Sequence, residues 1–309
     1  MDVHLPIADV TVNALALIAI GGGVGLLSGF FGIGGAFLMT PLLTMIGIPP
    51  AVAVATGVNQ VAASSVSGAF AHWRRGNVDP VMALVLTAGG FVGSLAGVAV
   101  FAWLKRMGQL DLAIGLSYVV LLGSLGGLML VESLRALLRR RAGRATRGRL
   151  HQHHLLHGLP LKMRFRRSRL YISALLPFAL GVLTGVMTAV MGVGGGFVLI
   201  PAMIYLIGMP TGVTVGTSLM QISLVASVTT MLQAIGSHAV DVVLALFLVI
   251  GGIIGAQIGT RLGAKLAGEQ LRILLAVIVL AVGLQVAWQL ATTPADIFSL
   301  DVLQIGAGG

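Results

Sequence analysis

Residues 31–41 read Phe-Gly-Ile-Gly-Gly-Ala-Phe-Leu-Met-Thr-Pro, and residues 191–201 read Met-Gly-Val-Gly-Gly-Gly-Phe-Val-Leu-Ile-Pro. Each stretch contains a cluster of glycines, followed by an apolar run that ends at a proline. The correspondence continues downstream at nearly constant spacing, where the glycines of the first half are matched in order by those of the second: Gly89, Gly90, Gly93 and Gly97 by Gly251, Gly252, Gly255 and Gly259. In a membrane protein, such an internal duplication is typical of secondary transporters, whose substrate site lies between the repeats.

The composition places the chain in a lipid bilayer. The 309 residues are 57% hydrophobic and 9% charged, and the mean hydropathy is +1.03. Stretches such as 11–44 and 177–237 contain no Asp, Glu, Lys or Arg. A helix of about 20 apolar residues crosses the hydrocarbon core of a membrane. Soluble globular and disordered folds are therefore excluded, and a multi-span helical membrane protein is predicted.

The positive charge is concentrated in one segment. The net charge is +10, and 12 of the 19 Lys and Arg residues lie between Arg135 and Arg169. The positive-inside rule predicts such a basic segment in a cytoplasmic loop. We therefore interpret 133–170 as a cytoplasmic linker that contacts anionic lipids, with regulation or partner binding as the alternative. Because most of the positive charge lies in this loop, it does not indicate nucleic-acid binding.

Ten apolar segments follow along the chain, five in each half. The second segment of each half has about 15 residues, which gives a helix of roughly 22 Å, too short to cross the core. We expect these two segments to be half-helices or re-entrant pieces that begin at the glycine clusters. The segments are predicted at 11–29, 33–47, 51–72, 80–104 and 112–131, and then at 171–191, 194–207, 212–235, 241–263 and 271–290.

Charge also predicts the topology. Five crossings per half place both termini and loop 236–241 outside, and the basic loops 73–79, 133–169 and 261–272 inside, with Lys105 and Arg106 as the exception. An odd number of crossings makes the two repeats inverted. The predicted fold class is an all-α polytopic membrane protein of two inverted repeats. Its parts are a first repeat at 1–132, a basic cytoplasmic linker at 133–170, and a second repeat with a short tail at 171–309.

The predicted spans contain almost no ionisable groups. Asp79, Glu132, Asp241 and Glu269 lie at segment ends, and no nucleophile or metal-ligand constellation lies within a span. The histidine run at 151–157 could bind a metal, but its place in a basic loop disfavours this interpretation. We therefore predict a protein that is not an enzyme and carries no cofactor or resident metal.

Paired glycine clusters are the first candidates for the substrate site. Glycine permits unwound backbone at membrane depth, and such backbone is tolerated where it lines a cavity or is covered by protein. The half-helix that follows offers free N–H groups and the positive end of its dipole to an anion. Close helix packing is the alternative interpretation. The candidates are Gly32, Gly34 and Gly35 in the first half, and Gly192, Gly194 and Gly195 in the second.

Neutral polar side chains in the third segment of each half are the second candidates. Their spacing of three and four residues places them on one helix face. Amide and hydroxyl groups there could complete the hydrogen bonds of an oxyanion, whereas hydrogen bonding between helices is the alternative. These candidates are Thr56, Asn59 and Gln60, which correspond to Thr217, Ser218 and Gln221.

The stretches at 25–41 and 181–197 resemble the opening of the two repeats of the TauE/SafE family of membrane permeases. The Ala-Thr-Gly of 55–57, the Gly-Thr-Ser of 216–218 and the glycine patterns described above are also similar to that family. The resemblance covers about 11–131 and 171–290. It implies transport of sulfite, organosulfonates or related small sulfur-containing anions across the bacterial inner membrane. The Arg- and His-rich linker is longer than the connection associated with the family.

The leading hypothesis is therefore an anion transporter that works by alternating access. Export is favoured, because the membrane potential expels anions, whereas uptake would need a co-ion and no carboxylate within a span offers a site for one. A membrane scaffold or assembly protein that uses the basic loop, and an anion channel, are the alternatives. The sequence is compatible with a homodimer but does not specify one.

Overall fold

The computed structural model describes residues 2–31, 33, 36–141, 161–168, 170–237, 239–263 and 268–292. Helices dominate these residues, which confirms the predicted all-α fold. The first half contains α1 (Ala14–Phe31), α2 (Ala36–Met45), α3 (Pro50–Arg74), α4 (Pro80–Arg106) and α5 (Leu110–Arg141). The second half contains α6 (Leu175–Met191), α7 (Gly196–Ala202), α8 (Thr211–Gly236), α9 (Val242–Gly263) and α10 (Gly268–Ala291).

Several of these helices can span a membrane. Length and apolar composition qualify five stretches of the described chain: Ala14–Phe31, Pro80–Arg106, Leu110–Leu128, Thr211–Gly236 and Val242–Leu262. The second helix of each half is short, as the sequence predicts, with 10 residues in α2 and 7 in α7. A π-helical turn, Met203–Ile207, continues α7 beyond its internal proline.

Each half opens with a β-hairpin that the sequence analysis did not predict. Strands β1 (Asp2–Leu5) and β2 (Val10–Asn13) pair antiparallel before α1. Strands β3 (Lys162–Phe165) and β4 (Leu170–Ser173) pair in the same way before α6. The second hairpin therefore begins inside the segment assigned to the linker, at the place equivalent to the first hairpin.

The first and fourth helices pack across the two halves. On α1, Gly21, Gly25 and Gly29 lie directly against the backbone of α9, where Gly25 faces Gly252. On α6, Gly185 faces Gly90 of α4 in the same way. Residue numbers rise together along both pairs, so each pair is parallel. Small residues permit this close approach, which van der Waals contacts stabilise in lipid.

The third helices lie between these pairs. Gly68 of α3 lies beside Leu219 of α8, and His72 lies beside Gly216, so the two helices run antiparallel. This is the relation that inverted repeats require. Helix α3 also packs on α9, and α8 packs on α4. We call α1, α3, α9 and the hairpin β1–β2 the first cluster, and α4, α6, α8 and the hairpin β3–β4 the second cluster.

A buried aspartate holds the first cluster together. The carboxylate of Asp241 is fully buried and accepts hydrogen bonds from the backbone N–H of Ile7, in the turn of the first hairpin, at 2.9 Å. It also caps α9 by accepting from the N–H groups of Val243 and Leu244, both at 3.0 Å. The N–H of Asp241 donates to the hydroxyl of Thr56 on α3 at 3.0 Å. Asp241 thereby joins the hairpin, α9 and α3.

Asp79 does the same in the second cluster. Its carboxylate accepts from the N–H and the hydroxyl of Ser168, in the turn of the second hairpin, at 2.9 and 2.8 Å. It caps α4 by accepting from the N–H of Met82, and its own N–H donates to the hydroxyl of Thr217 on α8 at 3.0 Å. The two aspartates are therefore equivalent anchors that use the same bonds.

The contacts of Lys105 explain its departure from the positive-inside pattern. Its ammonium group donates to the carbonyl of Ser237, the C-cap residue of α8, at 2.9 Å. A cation at a helix C-terminus interacts favourably with the helix dipole. The charge of Lys105 therefore serves a local helix end, and it does not argue against the predicted topology.

Candidate functional site

The glycine loop of the second half is unwound and buried. It connects α6 to α7, and its residues 192–195 are all buried. Gly192, Gly194 and Gly195 have φ angles of 74°, 70° and 69°. Side chains are strained in this left-handed region, so glycine is required at these positions. The unwound stretch expected before the short helix is present in this half.

The loop of the first half is described only in part. Gly32, Gly34 and Gly35 lie outside the described residues, as does the histidine run at 151–157. The carbonyl of Ile33 lies against Gly196 at the start of α7. Phe37 and Phe197, at equivalent positions in the two short helices, stack with ring centroids 5.0 Å apart and an interplanar angle of 22°. The starts of the two short helices therefore meet.

The first glutamine niche consists of Gln60 on α3 and Gly252 on α9. Gln60 is 0% exposed, and neither Nε2 nor Oε1 has a hydrogen-bond partner. A Cβ atom at Gly252 would lie 2.5 Å from Nε2 of Gln60, so the glycine provides the space that the amide occupies. A buried amide without partners is costly, by about 1–3 kcal/mol for each unpaired group.

The second glutamine niche consists of Gln221 on α8, Gly90 on α4 and Thr184 on α6. Gln221 is 1% exposed, and its Nε2 lies 3.5 Å from Oγ1 of Thr184. Its Oε1 has no partner. A Cβ atom at Gly90 would lie 3.1 Å from Nε2, which repeats the arrangement of the first niche.

The structure does not join the two glutamines to each other. Both polar atoms of Gln60 lack a partner, so no hydrogen bond links Gln60 with Gln221. Gln60 lies in the first cluster and Gln221 in the second. The chain therefore presents two equivalent niches, one on each side of the α3–α8 contact. The sequence analysis, in contrast, combined the two amides in one site.

The other candidates on α3 and α8 are bonded within the protein. Thr56 and Thr217 accept the backbone N–H groups of the two anchoring aspartates, as described above. The hydroxyl of Ser218 donates to the carbonyl of Val215 in its own helix at 3.0 Å. Asn59 is half-buried. The threonines thus support the positions of α3 and α8 around the glutamines.

A cavity of about 320 Å³ opens between α2, α5 and α10. It is largely apolar, and its polar lining includes Thr40, Asp111 and Tyr118. The hydroxyl of Tyr118 donates to the carbonyl of Met191 at 2.8 Å, and that of Thr40 donates to the same oxygen at 3.4 Å. Met191 directly precedes the glycine loop, so the cavity reaches the surroundings of the loop.

Thr184 and Tyr118 were not identified from the sequence. The repeat offers no signal for Thr184, because Val24 stands at the equivalent position. Tyr118 lies in an apolar helix where a tyrosine is ordinary. For the role of Gly90 and Gly252 beside the glutamines, the sequence offered one indication, which is their place in the duplicated glycine pattern. Such a pattern usually indicates close packing of helices and not space for an amide side chain.

An all-α, multi-pass chain with a duplicated glycine cluster, whose second copy forms a buried loop, has the features of a membrane transporter. The family model "Sulfite exporter TauE/SafE" matches residues 17–286. The chain therefore belongs to the TauE/SafE family.

Bacterial relatives agree with this class. A "Probable membrane transporter protein" of Xylella fastidiosa (strain 9a5c) is 32% identical over 250 residues, which cover 79% of this chain and 82% of the relative. The "Probable membrane transporter protein YjnA" of Bacillus subtilis (strain 168) is 28% identical over 243 residues, with 78% and 86% covered. No solved structure matches the chain. The protein is a multi-pass membrane transporter.

Proposed function

We propose that the protein exports a small oxyanion, sulfite or an organosulfonate, across the bacterial inner membrane by alternating access. The proposed site comprises the two glycine loops and the two glutamines. Thr56 and Thr217 hold α3 and α8 in place around it, and Asn59 and Ser218 lie on the same helices. The description of the matching family model supports the substrate class.

One observation carries the proposal. Among the described residues, four buried amide atoms have no partner. Three belong to the two equivalent glutamines, namely Nε2 and Oε1 of Gln60 and Oε1 of Gln221, and the fourth is Oε1 of Gln233. Buried polar groups in proteins are nearly always paired, so unpaired ones point to a ligand that supplies the partner. A small polar ligand entering either niche would satisfy the unpaired atoms of its glutamine.

The charged residues of the core favour binding of the anion by neutral hydrogen-bond donors. Among the described residues, the buried polar and charged set includes Asp79 and Asp241 but contains no Lys or Arg. Both aspartates are bonded to hairpin turns and helix ends. Binding by amide and backbone N–H groups does not require a buried cation. The membrane potential then favours export, by about 2.3 kcal/mol per charge at 100 mV.

The packing suggests which parts move. Each cluster is held by glycine-packed helix pairs and by one aspartate anchor, whereas the clusters meet chiefly where α3 contacts α8. We therefore infer that the two interleaved clusters rock against each other. This differs from movement of one sequence repeat against the other, because each cluster contains helices of both repeats.

Flux of labelled sulfite into inside-out vesicles and into proteoliposomes with the purified protein tests the proposal. Saturable flux, inhibited by an organosulfonate and stimulated by a membrane potential of the export sign, is the expected result. Liposomes without protein are the control. Folded protein that carries neither sulfite nor any organosulfonate would contradict the substrate class.

The basic linker supports a second candidate, a scaffold that holds a partner through residues 142–160. Deletion of these residues leaves both hairpins and all ten helices in place. We expect the deletion variant to retain most of the wild-type flux. Loss of the cellular activity with no loss of flux in liposomes would favour the scaffold.

A further inference from the structure

The two glutamine niches differ at two equivalent positions. One is Val225, which lies beside Gly90 and corresponds to Ser64 in the first half. The other concerns Gln221 directly. The repeats align Val24 on α1 with Thr184 on α6, since residues 31–41 match residues 191–201 at the same spacing. In the second niche, Thr184 therefore offers a hydroxyl to Gln221, at 3.5 Å. The residue of the first half that corresponds to Thr184 is Val24, whose apolar side chain is 1% exposed.

Thr184 links Gln221 to the glycine loop. Its hydroxyl donates to the carbonyl of Gly181 at 3.0 Å, which leaves the oxygen lone pairs to accept from the amide of Gln221. A Cβ atom at Gly195 would lie 2.5 Å from Cβ of Thr184, so the loop packs directly on this threonine. The second niche is thus a brace formed by Gln221, Thr184 and Gly195.

The described residues of the first niche form no such brace. Gln60 is 0% exposed, and both of its amide atoms are unpaired. Its amide lies against Gly252, which has no side chain that could pair with it. Gln60 is therefore the amide with unused donors and an unused acceptor.

We propose that the two equivalent glutamines have different roles: Gln60 contacts the transported oxyanion, while Thr184 holds Gln221 as a brace for the glycine loop. Thr184 is a positioning residue, and Val24 is a specificity-determining residue because it leaves Gln60 unpaired. This inference rests on the proposed function. The amide N–H groups of Gln60 donate to oxyanion oxygens, and its Oε1 accepts from a hydroxyl of the ligand or from a water bound with it.

Exchange of the two side chains between the niches gives the first test. Val24→Thr changes one methyl group to a hydroxyl at the position that corresponds to Thr184. We expect the KM for sulfite flux in proteoliposomes to rise about tenfold, although the variant removes no group that could bind the anion. Thr184→Val breaks the brace, and we expect a lower melting temperature with a smaller rise in the KM than Val24→Thr causes. Thr184→Ser keeps the hydroxyl and should restore the melting temperature.

Replacement of each amide gives the second test. Gln60→Met should raise the KM at least tenfold and should raise the melting temperature, because it removes two unpaired buried atoms. Gln221→Met should lower the melting temperature, and it should raise the KM by less than Gln60→Met does. An unchanged KM in both Gln60→Met and Val24→Thr, or an equal rise in Gln221→Met, would overturn the inference.

The melting data separate this inference from the proposed function. If wild-type protein carries no oxyanion, the proposed function fails, and with it the role of Gln60 as an oxyanion contact. The proposed difference between Gln60 and Gln221 is then tested by the melting temperatures of the variants alone. A lower melting temperature for Gln60→Met would show that its amide is paired inside the protein, and would overturn the assignment whatever the protein carries.

Discussion

Glycine residues of this protein serve three different structural needs. Gly192, Gly194 and Gly195 adopt a backbone conformation that side chains rarely allow. Gly25 permits contact between two helix backbones. Gly252 provides space for an amide side chain. Substitution by alanine therefore has a different expected effect for each kind.

Substitution in the glycine loop tests its backbone conformation. Gly194→Ala places a side chain at a φ of 70°, which costs about 1–2 kcal/mol. We expect the loop to move and sulfite flux to fall at least tenfold. Gly208→Ala is the matched control, since Gly208 has a φ of 80° and open space around it. Equal flux in both variants would show that the loop does not contribute to the site.

Substitution at Gly252 tests the space around Gln60. A methyl group there would contact the end of a flexible side chain at 2.5 Å, so Gln60 can move aside at little cost. We expect Gly252→Ala to raise the KM for flux by about tenfold and to change the melting temperature by no more than a few degrees. Normal transport kinetics would show that the position of the Gln60 amide is not important.

Helix pairs and anchored hairpins hold the helices and strands of the protein in their positions. The parallel pairs α1–α9 and α4–α6 depend on backbone contact, and each aspartate anchor joins three elements. Both devices connect parts of the chain that are far apart in sequence. Their loss should therefore affect stability before it affects the chemistry of the site.

Gly25 and Gly23 provide a matched pair on helix α1. A Cβ atom at Gly25 would collide with the backbone of Gly252, whereas one at Gly23 would have no neighbour within 4 Å. Overpacking of this kind costs about 1–3 kcal/mol, so we expect Gly25→Ala to lower the melting temperature in detergent clearly. Gly23→Ala should be neutral or slightly stabilising. The same melting temperature for both variants would contradict the α1–α9 packing.

The anchor at Asp241 has a control in the hairpin that it holds. Asp241→Asn weakens bonds to a carboxylate, each of which contributes about 1.5–3 kcal/mol. We expect a lower melting temperature and faster proteolysis of the first hairpin. Asp9→Asn alters an exposed carboxylate of the same hairpin, whose pair with His4 is 3.7 Å long, and should have almost no effect. Equal stability of the two variants would contradict the anchor.

At the scale of the whole molecule, the two halves are interleaved. Each cluster takes its first and third helices from one half and its fourth helix from the other. Neither half is therefore a separate domain. In the proposed transport cycle, the boundary between the moving clusters is the contact between α3 and α8, and it does not coincide with the basic linker.

Disulfide cross-links can test this movement, because the chain contains no cysteine. Gly68→Cys with Leu219→Cys connects α3 to α8, across the two clusters. We expect its oxidation to stop sulfite flux and its reduction to restore it. Ser94→Cys with Thr229→Cys connects α4 to α8 inside the second cluster, where the native hydroxyls are 2.8 Å apart. That cross-link should leave flux largely unchanged, and inhibition by it would contradict the proposed moving clusters.

The duplication and hydropathy predicted the helices, the short second segments and the unwound glycine loop, because these depend on local composition. The hairpins were missed because strands of four residues carry too little pattern. The exchange of fourth helices was missed because contacts such as Ile7 with Asp241 span 234 residues. The bonds of Thr56 and Thr217 to the aspartates were missed for the same reason, so hydroxyls at those positions were interpreted as ligand donors.

The pairing of α1 with α9 has a consequence for synthesis of the protein. Helix α1 ends at Phe31 and α9 begins at Val242, so most of the chain is made between them. At about 5–20 residues per second, a ribosome needs roughly 10–40 s for that interval. During this time the glycine face of α1 lies in the membrane without its partner. The insertion machinery, or lipid itself, has to cover that face until the last fifth of the chain arrives.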